Sequence, residues 1–104
     1  MKANPIVRLT VLVLTLAVPA LGAEVDRREA RQQQWIAEGV ENGSLTPRET
    51  AHLERREAKI QNEIHRDRAA NGGHLTAAER MKINREQNRA SRAIYRAKHD
   101  GRRK

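Results

Sequence analysis

The residues best suited to chemistry are cations gathered near the carboxyl end of the chain. Residues 80–104 hold ten Lys and Arg against two acids, whereas residues 24–79 carry a net charge of −2. Six of these cations recur at spacings of three, four and seven, which places them on one helix face opposite Ile83, Ala90 and Ile94. The six are Lys82, Arg85, Arg89, Arg92, Arg96 and Arg103. This basic amphipathic pattern predicts an anionic partner, and a solvated or internally paired face is the alternative.

The expected partners are acidic protein clients or an anionic envelope surface. A second copy of the chain, in a homodimer, is a further candidate. Nucleic acid is not expected, because the chain has one Trp and one Tyr and so lacks a series of aromatic side chains for base stacking. Export from the cytoplasm, for which the amino-terminal residues argue below, would also separate the chain from the genome.

A glycine turn near residue 43 has the spacing of a calcium-binding EF-hand loop. Gly43 and Glu49 stand at positions 6 and 12 of that loop, with Glu38 at position 1 and Asn42 at position 5. Position 3 is Val40, which cannot coordinate a metal. Glu38, Asn42 and Glu49 are therefore weak metal candidates, and a helix cap after a glycine turn explains the same residues. No cofactor is expected, and a metal-handling protein remains the second alternative function.

Catalytic arrangements are missing from the sequence. No two of the four His residues are spaced i, i+4, and no Cys accompanies them. Ser44 and Ser91 lack a neighbouring His–acid pair. Glu54 and Glu57 could be neighbours on a helix, but no apolar residues are expected around them to raise a pKa. The sequence therefore predicts a protein that is not an enzyme.

Two helix starts are the clearest structural signals. Thr46 with Glu49, and Thr76 with Glu79, each form the capping-box pattern, in which hydroxyl and carboxylate satisfy otherwise unpaired backbone amides. Pro47 stands at the first helical position, which strengthens the first start. Each start follows a turn, Asn42–Ser44 and residues 71–73 respectively.

The two starts belong to an internal duplication with an offset of 30 residues, covering about 43–72 and 73–102. We expect an all-α fold with helices at about 25–41, 47–70 and 77–99, arranged as a loose hairpin or a three-helix array. Each helix has one narrow apolar stripe, with Val25, Ile36 and Val40 in the first. Identical pairs at the offset are Gly43/Gly73, Leu45/Leu75, Thr46/Thr76, Glu49/Glu79, Arg55/Arg85, Ile64/Ile94 and Arg66/Arg96.

The first 23 residues have the order of a secretory signal peptide. Lys2 and Arg8 precede the apolar run LTVLVLTLAV, and Pro19 and small residues follow it. The uncharged stretch 9–23 is shorter than the roughly 20 residues of a membrane span, although an uncleaved anchor is the alternative. We expect cleavage after Ala23, with Ala20 as the other candidate, and a single periplasmic or secreted helical region 24–104.

The helix starts LTPRE (45–49) and LTAAE (75–79) resemble a known theme. Small exported proteobacterial proteins of the Spy-type chaperone and metal-resistance group carry LTxxQ repeats at helix starts, with Gln where this chain has Glu. The ending NRASRAIYRAKHD (88–100) is also similar to that of small exported proteins with the same duplication. The resemblance implies an α-helical, often dimeric protein that is basic on one surface. It also implies an envelope stress protein or a chaperone that works without ATP.

Overall fold

The computed structural model describes residues 5–100, and side chains from residue 22 onwards. Three α-helices make up this part of the chain: α1 (Pro5–Glu41), α2 (Pro47–Ala70) and α3 (Ala77–Lys98). Each helix packs against both of the others, so they form a three-helix bundle. The expected all-α class and the bounds of the second and third helices are confirmed.

The first helix begins at Pro5 and not near residue 25. Residues 5–23 of the predicted signal segment and the amino-terminal part of the bundle form one continuous helix, which passes through Pro19. Leu and Ala are favourable in a helix, and a proline that removes one backbone hydrogen bond can bend a helix without ending it. Within residues 5–100, no helix combines the length and the hydropathy needed to cross a membrane.

Both helix starts are closed by capping boxes. The Thr46 hydroxyl accepts from the Glu49 amide at 3.1 Å, and the Glu49 carboxylate accepts from the Thr46 amide at 3.0 Å. Thr76 and Glu79 form the same pair of bonds, at 3.1 and 2.9 Å. These reciprocal bonds satisfy amides that the first helical turn leaves unpaired.

The turn between α1 and α2 depends on a glycine inside the helix. The Leu45 amide donates to the Gly39 carbonyl at 3.0 Å, and a Cβ placed on Gly39 would lie 2.6 Å from Leu45 Cγ. Leu45 can therefore fold back onto α1 and become buried. Val40 was expected in the apolar stripe, but it is 52 % exposed, because Gly39 and not Val40 faces the returning chain.

The buried faces reveal a third copy of the repeat that the duplication did not include. Segments 25–36, 53–64 and 83–94 are equivalent, and each buries its first, fifth, eighth and twelfth residues. We call this segment the twelve-residue repeat. Its buried residues are Val25, Glu29, Gln32 and Ile36 in α1, Leu53, Glu57, Ile60 and Ile64 in α2, and Ile83, Gln87, Ala90 and Ile94 in α3.

The core has two apolar clusters, and buried polar side chains lie at the middle levels of the bundle. One cluster holds Val25, Ile60, Ile64, Ile83 and Ala90. The other holds Ile36, Leu45, Leu53 and Ile94. The polar layer consists of four buried side chains, Glu29, Gln32, Glu57 and Gln87. Because α2 is antiparallel to α1 and α3, Ile64 at the end of its repeat lies in the same cluster as Val25 and Ile83 at the start of theirs.

Candidate functional site

The predicted basic residues of α3 lie on its outer face. Arg85, Arg89, Arg92 and Arg96 are all exposed, and we call these four the arginine stripe. Lys82 is also exposed, but its Nζ lies 3.0 Å from Oε2 of Glu63 on α2, in an ion pair. Arg103 lies outside the described residues. The arginine stripe separates two surface depressions, one toward α1 and the other toward α2.

The depression between α1 and α3 has an apolar floor. Trp35, Ile94 and Tyr95 line it together with Arg92 and Arg96, and its volume is about 700 Å³. We call it the aromatic groove. Tyr95 is 63 % exposed and Trp35 is 37 % exposed, so both rings present apolar surface to solvent. A fixed groove of this kind can hold an apolar side chain while its arginines contact neighbouring carboxylates.

The rings of the aromatic groove are held by contacts along and between the helices. The Tyr95 ring stacks on His99, with ring centroids 4.0 Å apart and planes inclined by 17°. Lys98 Nζ donates to the Trp35 carbonyl at 3.0 Å. The lysine therefore connects the carboxyl end of α3 to the last two turns of α1.

The depression between α2 and α3 was not predicted from the sequence. It is about 580 Å³ in volume, and six of its lining residues are cations or histidine. We call it the basic cleft. Its basic residues are His52, Arg55, Arg56, Lys59, Arg66 and Arg89. The net charge of residues 24–79 concealed this feature, because acids elsewhere on α2 cancel its cations. The 30-residue offset was the available signal, since it relates Arg55, Lys59 and Arg66 to Arg85, Arg89 and Arg96.

Two acids that line the basic cleft, Glu63 and Glu86, lie next to each other. Burial raises the pKa of Glu86, and its hydrogen bond to Glu63 raises that pKa further. The same hydrogen bond, followed by the ion pair with Lys82, lowers the pKa of Glu63. The two pKa values therefore move apart, that of Glu86 upward and that of Glu63 downward. The ion pair with Lys82 offsets the negative charge of Glu63.

The polar layer forms a hydrogen-bonded network inside the bundle. Gln87 Nε2 donates to Glu29 Oε2 at 2.9 Å and to the Val25 carbonyl at 3.1 Å. Gln61 Nε2 donates to the other Glu29 oxygen at 3.2 Å. Gln32 Nε2 donates to the Gln87 carbonyl at 2.7 Å. The network joins all three helices through the single carboxylate of Glu29.

Glu57 lies beside Glu29 in this layer and is 1 % exposed. Burial raises the pKa of Glu57 to about 8, and the hydrogen bond and negative charge of Glu29 add to the effect. The expectation that no apolar residues would surround Glu57 was wrong. Its position in the twelve-residue repeat places it between Leu53 and Ile60 on the buried face, where the charged form is poorly solvated.

The weak metal candidates have structural roles. Asn42 Oδ1 accepts from the Ser44 amide at 2.9 Å, Glu49 belongs to a capping box, and Glu38 accepts from Gln34 at 3.4 Å. Within the described part of the chain, no three His, Cys, Asp or Glu side chains form a group that could hold a metal ion.

Comparison with known proteins adds no relative. Neither a family model, nor a curated protein, nor a solved structure matches the chain. Its function must therefore be argued from the three features described above: the aromatic groove, the basic cleft and the arginine stripe.

Proposed function

We propose that the protein is a non-enzymatic, exported binding protein of the envelope that holds acidic, partly unfolded protein segments, as a chaperone does. The observation that carries this proposal is the aromatic groove, in which Trp35 and Tyr95 expose apolar surface beside Arg92 and Arg96. The Spy-type resemblance of the helix starts points in the same direction.

The chemistry of the groove fits such a client. Unfolded segments present apolar side chains next to charged ones, and burial of an apolar side chain contributes about 25 cal/mol per Å². The arginine stripe adds long-range attraction for acidic segments, which speeds encounter and weakens as salt rises. A groove that is open along its length suits extended chains and imposes no particular sequence.

The position of the core supports export by a cleaved signal peptide. Val25 is the first core residue among the described side chains, so cleavage after Ala23 would leave the described core complete. The bond from Arg68 Nη2 to the Gly22 carbonyl would be lost, while the Arg68–Asp26 ion pair at 3.0 Å would remain. Mass spectrometry of a periplasmic extract should find a chain that begins at Glu24. A chain that keeps residues 1–23 and stays in the cytoplasm would contradict the proposed location.

The binding activity can be tested by the aggregation of an unfolded acidic client, with and without the protein, at several salt concentrations. We expect suppression that weakens with salt and is smaller for a basic client of similar hydropathy. Tyr95→Ala should reduce suppression. Met81→Ala is the matched control, because Met81 is also exposed (59 %) but does not line the groove. No suppression at any salt concentration would contradict the proposal.

A second candidate function is binding to an anionic membrane surface through the arginine stripe. It is favoured by the exposure of all four arginines on one outer face. Within the described residues, none of the four forms a salt bridge. Cosedimentation with anionic vesicles should then be salt-sensitive and lost when Arg85, Arg89, Arg92 and Arg96 are replaced by Gln. Retention of vesicle binding by that variant would exclude this function.

A further inference from the structure

The basic cleft has features that neither client binding nor a flat membrane-facing stripe requires. Cations from two helices converge on it, with Arg55, Arg56, Lys59 and Arg66 from α2 and Arg89 from α3. A single helix face that touches a membrane does not need a concave site. The depression of about 580 Å³ lies within the range of small-molecule sites, roughly 300–1,000 Å³.

The charge of the cleft remains largely unneutralised. Glu63 is already paired with Lys82 at 3.0 Å, and Glu86 is hydrogen-bonded to Glu63. Arg56 also lines the cleft, and it is half-buried. Five Lys and Arg side chains therefore face two acids, Glu63 and Glu86, in the lining of the cleft.

The spread of the cations indicates the kind of anion. Arg55 and Arg66 are eleven residues apart on α2, which is roughly 16 Å along a helix that rises about 1.5 Å per residue. One phosphate group cannot reach both ends of such a row, whereas a ligand with two or more phosphates can contact several cations together. Arginine forks match the geometry of phosphate oxygens and bind them through paired hydrogen bonds.

We propose that the cleft between α2 and α3 is a binding site for a ligand that carries two or more phosphate groups, contacted by Arg55, Arg56, Lys59, Arg66 and Arg89. The site does not depend on the aromatic groove. The ligand is either a free polyphosphate anion or the headgroup of a bis-phosphorylated lipid, since both present the same chemistry to the cleft.

Calorimetric titration of the full chain with inorganic pyrophosphate tests the site, with sulfate and citrate at equal ionic strength as reference anions. Cosedimentation with vesicles that contain a bis-phosphorylated lipid tests the other source, with vesicles of a mono-phosphorylated lipid at equal surface charge as reference. We expect one or both phosphate ligands to bind more tightly than their references. The assay in which the phosphate ligand binds more tightly than its reference shows whether the ligand is a free anion or a lipid headgroup.

The twelve-residue repeat supplies a matched pair of variants. Arg55 and Arg85 occupy the same repeat position and both are exposed, but Arg55 lines the cleft and Arg85 does not. Combining Arg55→Gln with Arg89→Gln should weaken binding about tenfold or more, since charge-assisted hydrogen bonds are lost. Combining Arg85→Gln with Arg92→Gln, which removes the same charge, should change it less than about twofold. Equal weakening by both pairs, or phosphate ligands that bind no better than their references, would overturn the proposal. Aggregation suppression by the same cleft variants should be measured alongside. It tests the client-binding proposal independently, so failure of one proposal can be distinguished from failure of the other.

Discussion

Glu57 and Gln87 occupy the same position of the twelve-residue repeat, and both side chains are buried against Glu29. Gln87 donates a hydrogen bond to Glu29 at 2.9 Å and has no charge at any pH. Glu57 can donate to Glu29 only while it is protonated, and its pKa is raised to about 8. The α3 copy of the repeat therefore makes a hydrogen bond to Glu29 at any pH, whereas the hydrogen bond of the α2 copy depends on pH.

The stability of the protein should fall as the pH rises from about 5 to about 9. The folded chain holds the Glu57 proton up to pH about 8, whereas the unfolded chain loses it near the ordinary value of 4.5. The contribution of this proton is therefore complete below pH 4.5 and is lost as the pH rises through 8. Since one pKa unit corresponds to about 1.4 kcal/mol, the rise from 4.5 to about 8 should produce a loss on the order of 4 kcal/mol between pH 5 and pH 9. Urea unfolding across this range measures it.

Glu57→Gln should remove this contribution to the pH dependence, because it gives the α2 copy of the repeat the residue that the α3 copy already has. At pH 9 the variant should be more stable than the wild type, and at pH 5 the two should differ by less than about 1 kcal/mol. Glu38→Gln is the control, since Glu38 is exposed on α1 and is not among the groups that shift the pKa of Glu57. A variant with the same pH profile as the wild type would show that Glu57 does not titrate in the bundle.

Gly39→Ala should destabilise the bundle although alanine favours helices. The added Cβ would lie 2.6 Å from Leu45 Cγ and Cδ1, and Leu45 is buried. Displacing it should cost about 1–3 kcal/mol, which exceeds the gain of about 1 kcal/mol in helix propensity. Gly39→Ala in a Leu45→Ala background is the control, because the added Cβ then no longer meets Leu45 Cγ. Thermal unfolding should show a clear loss of stability in the wild-type background and little or none in the Leu45→Ala background, and equal losses in both would refute the close packing at Gly39.

Thr46→Ala should destabilise the protein by about 1 kcal/mol, the usual effect of removing an N-cap side chain. The Glu49 amide would lose the acceptor that now lies 3.1 Å away. Thr50→Ala, one turn later, removes a hydroxyl that donates to a backbone carbonyl within the helix and should change stability by less than about 0.5 kcal/mol. Chemical denaturation compares the two, and equal effects would argue against a capping role for Thr46.

Local patterns in the sequence predicted those features that depend on residues close together along the chain. The helix starts at Thr46 and Thr76 and the exposed face of Arg85 and Arg92 each follow from spacing within one helix. Contacts between helices were not predictable in this way. The α1 copy of the repeat was not predicted because it precedes the α2 copy by 28 residues and not 30. In addition, Gln32 stands where Ile60 and Ala90 stand in the other copies.

The basic cleft and the polar layer were missed for a related physical reason. Net charge adds cations and acids regardless of where the fold places them, and it therefore concealed the cations of α2. Burial likewise changes the pKa of Glu57 through residues of α1 and α3, which no spacing rule within α2 includes. The sequence could predict which residues share a face, but the packing of three helices determines which faces meet.

The fluorescence of Trp35 can show whether the aromatic groove holds acidic unfolded segments. It is the one tryptophan of the chain and it lines the groove, so a client without tryptophan leaves it as the sole reporter. We predict a saturable change in Trp35 emission during titration with an acidic unfolded client, weaker binding at high salt, and a clear loss of affinity in Tyr95→Ala but not in Met81→Ala. Emission that does not change while the client binds, or equal affinities for the two variants, would show that the aromatic groove is not the client-binding site.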